Sequence, residues 1–297
     1  MIKNLKKTFL LITGITLTSL LYAAPAKADK GSVVEIYYPT HDYTVPENKL
    51  SAQDKYNKHA IVYLPAGYNS NDKKTKYPLL ILQHGNACNE WTWGLQDEAE
   101  VRKSLDSNIA SGKAKKMIVV TACGVSDKTW QSFENGSSLK GANKFGSELK
   151  NDLIPYLKEH FNILEGRENT AMAGFSMGAE QTMNIGIGEC LDIFSYFGAF
   201  SSIPFSSPLD PGSAYKKPAV YVKEVDKAFD SKYKIKLLYM TCGTNDGGFY
   251  PGYSDYIVEM PKWKRIEKFE KETISGAGHQ WDVWTNGFDH FIQMIFK

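Results

Sequence analysis

Apolar positions along the chain follow two different rhythms. Residues 31–39 (GSVVEIYYP) and 60–65 (AIVYLP) are short β-branched and aromatic runs, the composition of strands. The polar stretch between them, residues 40–58, reads as a loop. From residue 79 the runs become continuously apolar: 79–83 (LLILQ), 117–122 (MIVVTA), 170–175 (TAMAGF), 194–200 (FSYFGAF) and 235–241 (IKLLYMT). Runs of this length suit strands buried on both faces, as in a parallel sheet. Helical spacing appears between them. Phe145, Leu149, Leu153, Leu157 and Phe161 recur every four residues, one face of a helix, and Ile154 widens that face. Residues 93–110 read as a more mixed helix, and GFDHFIQMIF near the end as a last one. Strands alternating with helices predict an α/β fold with a mostly parallel central sheet and helices on both faces. No repeat or linker divides residues 29–297, so these are expected to form one domain.

The first residues read differently. Lys3, Lys6 and Lys7 precede an apolar run, residues 8–24, and Ala26-Lys27-Ala28 places small residues at the two positions a signal peptidase reads. The run is short for a membrane span. Residues 1–28 are therefore expected to be a signal peptide cleaved before Asp29, leaving a secreted protein without a stable membrane anchor. Cleavage would remove four lysines and no acids, turning the net charge from +2 to −2. The remainder carries no long basic run and no nucleic-acid-binding motif, so nucleic acid is not an expected partner. Cys88, Cys123, Cys190 and Cys242 match no zinc spacing. Export permits disulfides, and four cysteines allow three full pairings; four free buried thiols are an equal alternative.

The chemistry centres on Gly174-Phe175-Ser176-Met177-Gly178, a Gly-x-Ser-x-Gly sequence. An apolar strand runs into it and a helix-compatible stretch (MGAEQTMNIGI) follows, the strand–turn–helix setting of a nucleophile elbow. Small residues at Gly174 and Gly178 relieve crowding in that turn and leave Ser176 exposed at its apex. A serine hydroxyl needs a base. Two histidines follow Ser176. His279 sits in a small-residue loop (SGAGH) after a strand-like stretch, where a base must come from, whereas His290 lies within the last helix. The acid is expected on a loop after a strand, and Cys242-Gly243-Thr244-Asn245-Asp246 places Asp246 there; Asp255 and Asp282 are its rivals. Two oxyanion donors are expected. One is the N–H of Met177, next to the nucleophile, and the other the N–H of Asn86, in the loop after residues 79–83. His84 precedes Ser176, the wrong order for the base, and reads as a loop-shaping residue. Trp281 and Trp284 follow His279 closely, and their spacing of three puts them on one face if the last helix has begun. Trp281 is expected to wall the acyl or sugar pocket and Trp284 to join the core. No metal or cofactor is called for.

With these residues placed, the chain resembles the esterase-D-like branch of α/β hydrolases, and within it the bacterial feruloyl and acetylxylan esterases of carbohydrate esterase family one. Residues 77–91 (YPLLILQHGNACNEW), 166–187 (GRENTAMAGFSMGAEQTMNIGI), 237–247 (LLYMTCGTNDG) and 276–296 (GAGHQWDVWTNGFDHFIQMIF) carry the likeness. The resemblance implies an α/β-hydrolase fold, a Ser176–Asp246–His279 triad and an oxyanion hole at Asn86 and Met177. It implies a secreted serine esterase acting on feruloyl or acetyl esters of plant cell-wall polysaccharide such as xylan. The alternatives are a siderophore esterase, a mycolyltransferase-like enzyme, and a non-catalytic surface binder. Two departures from the family lie close to Ser176: Asn86-Ala87-Cys88 after His-Gly, and Ala179-Glu180 in place of a small Gly-rich pair.

Overall fold

The continuously apolar runs become the inner strands of one eight-stranded sheet. The structure is a computed structural model that describes residues 30–95, 100–131, 139–210 and 212–297. The expected signal peptide and its cleavage site lie outside the described residues. The strands are β1 (Ser32–His41), β2 (Lys55–Leu64), β3 (Leu79–Gln83), β4 (Ile118–Ala122), β5 (Thr170–Phe175), β6 (Tyr196–Phe200), β7 (Leu237–Gly243) and β8 (Phe269–Ile274). Their order is β1-β2-β4-β3-β5-β6-β7-β8. β1 pairs with β2 and β2 with β4 antiparallel; every other neighbouring pair is parallel. Strands β3 to β7 are buried along their whole length, which is why their sequences do not alternate. β8 lies at an edge and carries three consecutive charged residues, Glu270, Lys271 and Glu272, which discourage pairing with another chain.

Each sheet face carries its own core. On one, Leu80, Leu82, Ala171 and Ala173 pack against Val101 and Leu105 of the helix Glu100–Ala110 and Val283, Phe288 and Phe291 of the helix Trp281–Met294. On the other, Ile81, Val120 and Met172 meet Phe145, Leu149 and Leu153 of the helical segment 145–160, Met183 of segment 177–187, Tyr221 and Tyr256. Helices thus cover both faces, the α/β-hydrolase arrangement. The strand order reverses at β3, with β4 on one side and β5 on the other. Such a reversal opens a crevice beyond the carboxyl ends of the strands, where ligands bind in open α/β sheets.

Three segments differ from the sequence pattern. The helix expected over residues 93–110 is seen only from Glu100; Trp93 instead lies in the core and donates its Nε1–H to the Gln83 carbonyl at 2.7 Å. The last helix begins at Trp281, ahead of its apolar run. The polar stretch 40–58 is strand at both ends, because β1 runs to His41 and β2 starts at Lys55. Here Lys58 is fully buried. Its Nζ donates to both Glu148 carboxylate oxygens at 2.8 and 2.9 Å and to the Val125 carbonyl at 2.8 Å, and Tyr38 also donates to Glu148. Removing one partner of a buried pair strands the other charge and costs about 3–5 kcal/mol. Glu148→Ala should therefore lower the melting temperature by roughly 6–20 °C, and an apolar pair, Lys58→Met with Glu148→Leu, should recover most of it. Calorimetry checks both; an unchanged melting temperature for Glu148→Ala would show that the pair is not needed.

All four cysteines are free thiols, with Cys123, Cys190 and Cys242 buried and Cys88 half-buried. Among the described residues no helix is long and apolar enough to cross a membrane.

Candidate active site

Close packing forces the turn after β5. A Cβ on Gly178 would lie 2.5 Å from the Gln83 carbonyl oxygen, and one on Gly174 would lie 2.7 Å from both that oxygen and the Gly178 carbonyl carbon. Only glycine allows β3, β5 and the following helix to meet this closely. Ser176 turns the corner at φ 53°, ψ −121°, a strained conformation for a non-glycine residue. Its own N–H donates to the Phe200 carbonyl of β6 at 2.9 Å. The strain is thus held by packing and hydrogen bonds on either side.

The loops after β7 and β8 are laced together. Thr244 and Asn245 donate their N–H groups to the Ile274 and Ala277 carbonyls at 3.0 and 2.8 Å, and the Gly276 N–H donates to Thr244 Oγ1 at 2.8 Å. A Cβ on Gly243 would lie 2.2 Å from the Ala277 carbonyl oxygen, so glycine is required at that crossing too. This lacing presents His279 between two partners. Its Nδ1 is 2.9 Å from Asp246 Oδ2 and its Nε2 2.9 Å from Ser176 Oγ. Asp246 is buried, and its carbonyl accepts the N–H groups of Phe249 and Tyr250 at 3.1 and 2.8 Å. The buried Cys242 thiol lies 3.8 Å from the same carboxylate oxygen. The His279 ring is clamped by aromatic neighbours: Phe249 stacks on it at 4.9 Å, and Trp284 meets it edge to face at 4.9 Å. Phe249 was not singled out in the sequence. Its position three residues after the expected acid was the available signal.

The rival residues go elsewhere. Asp255 accepts from Tyr215 at 2.6 Å, Asp282 meets Gln280 at 3.2 Å, and His290 pairs with Glu272 on the surface at 2.7 Å.

The loop after β3 packs on the same corner, since a Cβ on Gly85 would lie 2.5 Å from the Phe175 ring and one on Gly178 would lie 2.6 Å from the His84 carbonyl oxygen. His84 pins it. The Gly124 N–H donates to His84 Nε2 at 3.0 Å, so Nδ1 carries the proton and donates to the Gly85 carbonyl at 2.7 Å. Burial pushes the His84 pKa down to about 4, so the ring is neutral. Neither the Asn86 N–H nor the Met177 N–H has an acceptor among the described residues. Glu180, one of the departures, turns away from this corner. It is buried, accepts from the Leu209 N–H at 2.6 Å and from Asn184 at 3.1 Å, and burial pushes its pKa up to about 7.

Trp284 is 8% exposed and stacks on Phe175 at 4.3 Å; Trp281 is 42% exposed and meets Phe175 at 5.1 Å and Trp284 at 5.2 Å. Among the described residues no cluster of three metal-ligating side chains occurs.

Sheet order, the strained turn after β5 and the loops beyond β7 and β8 place the chain in the α/β-hydrolase class. The family model described as "Putative esterase" matches residues 51–293, and the chain belongs to that family of carboxylic ester hydrolases. An endo-1,4-β-xylanase/feruloyl esterase of Xylanibacter ruminicola is 32% identical over 241 residues, covering 80% of this chain and 29% of that protein. The chain thus spans less than a third of that relative's length. The CE1 ferulic acid esterase of Anaeromyces mucronatus, solved in complex with ferulic acid, superposes with a TM-score of 0.68 at 27% identity, covering 90% of this chain and 91% of that one. A feruloyl esterase module from Clostridium thermocellum complexed with sinapinate shares the fold, with a TM-score of 0.68 at 20% identity, covering 90% and 89%. The chain is an esterase-like α/β hydrolase, similar in fold to the CE1 ferulic acid esterase.

Proposed function

We propose that this is a secreted serine esterase that removes feruloyl groups from plant cell-wall polysaccharide such as xylan. The observation that carries the reading is the single imidazole of His279 within hydrogen-bond reach of Ser176 on one side and Asp246 on the other. Ser176 Oγ attacks the ester carbonyl while His279 Nε2 takes its proton. Asp246 holds the Nδ1–H tautomer and stabilises the imidazolium. The N–H groups of Asn86 and Met177 receive the oxyanion. The sugar hydroxyl leaves with the proton from His279, and water, activated by the same base, releases the acid. Relatives named as feruloyl esterases support a feruloyl group over an acetyl group, as does the aromatic surface of Trp281 beside Phe175. Neither the siderophore-esterase nor the mycolyltransferase alternative gains support from them, and nor does a non-catalytic binder. Residues 1–28 would direct export.

The test compares feruloyl and acetyl esters on two tryptophan variants. Trp281→Ala should raise KM for feruloyl esters roughly three- to tenfold, the size of a lost aromatic contact, and leave acetyl esters nearly unchanged. Trp284→Ala should instead cost about 3–5 kcal/mol of stability and impair both substrates by loosening His279. A Trp281→Ala protein with an unchanged feruloyl-to-acetyl ratio and a lowered melting temperature would make Trp281 structural. Failure of the wild type to cleave feruloyl esters at all would overturn the function.

A further inference from the structure

A second concavity opens where β1, β2 and the loops after β3 and β4 meet. It has a volume of about 300 Å³ and is bounded by Glu35, Tyr37, His59, Glu90, Trp91 and Trp130. Tyr37 and His59 face each other across the β1–β2 ladder, their rings 5.0 Å apart. His59 is buried, and both its nitrogens are engaged: Nδ1 with Glu90 at 2.8 Å and Nε2 with Glu35 at 3.2 Å. Trp91 lays one face on this ring at 5.2 Å and remains 36% exposed. Tyr37 is 61% exposed. Two outward aromatic surfaces therefore flank a Glu–His–Glu row in which Glu90 is buried and Glu35 is exposed.

We propose that this cavity is a subsite for a neutral sugar residue of the polysaccharide main chain, separate from the pocket that receives the acyl group. The inference rests on the esterase reading and deepens it by naming what the enzyme holds besides the ester. An aromatic face accepts the C–H face of a sugar ring, and carboxylates accept its hydroxyl donors, here with the exposed Glu35 the accessible one. Two carboxylates disfavour an acidic ligand. With both His59 nitrogens engaged by carboxylates, and no cluster of three metal ligands among the described residues, the row does not form a metal site. Trp91 and Tyr37 provide platforms rather than a closed cage, which favours the broad C–H face of a sugar ring over a compact cation. The cavity also lies near the reacting serine. Asn86 and Trp91 are five residues apart on one loop, a reach of at most ~18 Å, and Trp130 shares a buried cluster with Met177. A sugar chain whose ester carbonyl sits at Ser176 can extend into it.

The test uses Trp91→Ala, Trp91→Phe and Tyr37→Ala with three ligands: methyl ferulate, a feruloylated xylo-oligosaccharide, and the unesterified xylo-oligosaccharide by calorimetric titration. Trp91→Ala and Tyr37→Ala should each weaken oligosaccharide binding and lower kcat/KM on the feruloylated oligosaccharide by roughly tenfold, through KM. Methyl ferulate turnover and the melting temperature should be unchanged, and Trp91→Phe should restore most of the loss. Equal losses on both esters, or none on either, would overturn the subsite. So would binding of choline, a quaternary ammonium, in place of the oligosaccharide. If the wild type cleaves no feruloyl ester, the esterase reading fails separately. The titration then still decides: oligosaccharide binding lost in Trp91→Ala supports the subsite, and no binding rejects it.

Discussion

Ser176→Ala is expected to lower kcat on a short aryl ester by about 10⁴-fold or more while the fold survives. Only the hydroxyl group is removed, and among the described residues no other serine, threonine or cysteine reaches a His279 nitrogen. The alanine keeps the left-handed backbone at φ 53°, so the strain remains. Glycine at the same position can adopt that conformation freely. Ser176→Gly should therefore be as inactive as Ser176→Ala yet melt at a higher temperature, reflecting strain of order 1–3 kcal/mol. The measurement is steady-state kinetics beside thermal unfolding for both variants. Turnover near the wild-type rate in folded Ser176→Ala would remove Ser176 from the mechanism.

A comparable loss is expected at the base, because residues that act as a unit are not additive. His279→Ala should approach the Ser176→Ala rate, and the double variant should be little worse than either single one. Asp246→Asn is expected to cost about 10²–10⁴-fold. The asparagine amide can present N–H to His279 Nδ1, which forces the proton onto Nε2 and leaves no lone pair for the serine. His290→Ala should leave kcat within about twofold, because His290 is bound to Glu272 on the surface, away from Ser176. Loss of activity in His290→Ala with retention in His279→Ala would reverse the assignment of the base.

Glu180 carries a pH dependence of stability. Burial raises its pKa in the folded protein to about 7, above its ordinary value. A carboxyl raised in this way contributes most to stability when protonated, at low pH. That contribution fades as the pH rises toward 7, so this residue alone favours unfolding at neutral pH.

Local patterns made much of the architecture legible. Unalternating apolar runs mark strands buried on both faces because both faces must be dry, and β3 and β5 appear within the bounds the pattern predicts. The turn at Ser176 is legible for a related reason. Backbone crowding at Gly174 and Gly178 is relieved only by glycine, so the geometry leaves its mark on adjacent residues. Chain order and loop position pointed to Asp246 and His279.

Other features depend on groups far apart in the chain. Lys58 lies in a polar stretch and reads as loop, yet it is buried because Glu148, 90 residues later, neutralises it. The antiparallel entry of β2 beside β4 has no signature in either strand's composition, since pairing direction is set by the path of the chain between them. Asp255, Asp282 and His290 are as plausible by residue type as the residues found at Ser176, and only the lacing of the β7 and β8 loops excludes them. Phe249 on His279, and the meeting of Glu35, His59 and Glu90, likewise exist only once the strands are side by side. Sequence by itself determined the inner strands, the turn and the residue types proposed to react, because periodicity and turn sterics act within a few residues. Which groups meet was decided by tertiary packing, whose contacts join Ser176 to His279 across 103 positions that no local pattern spans.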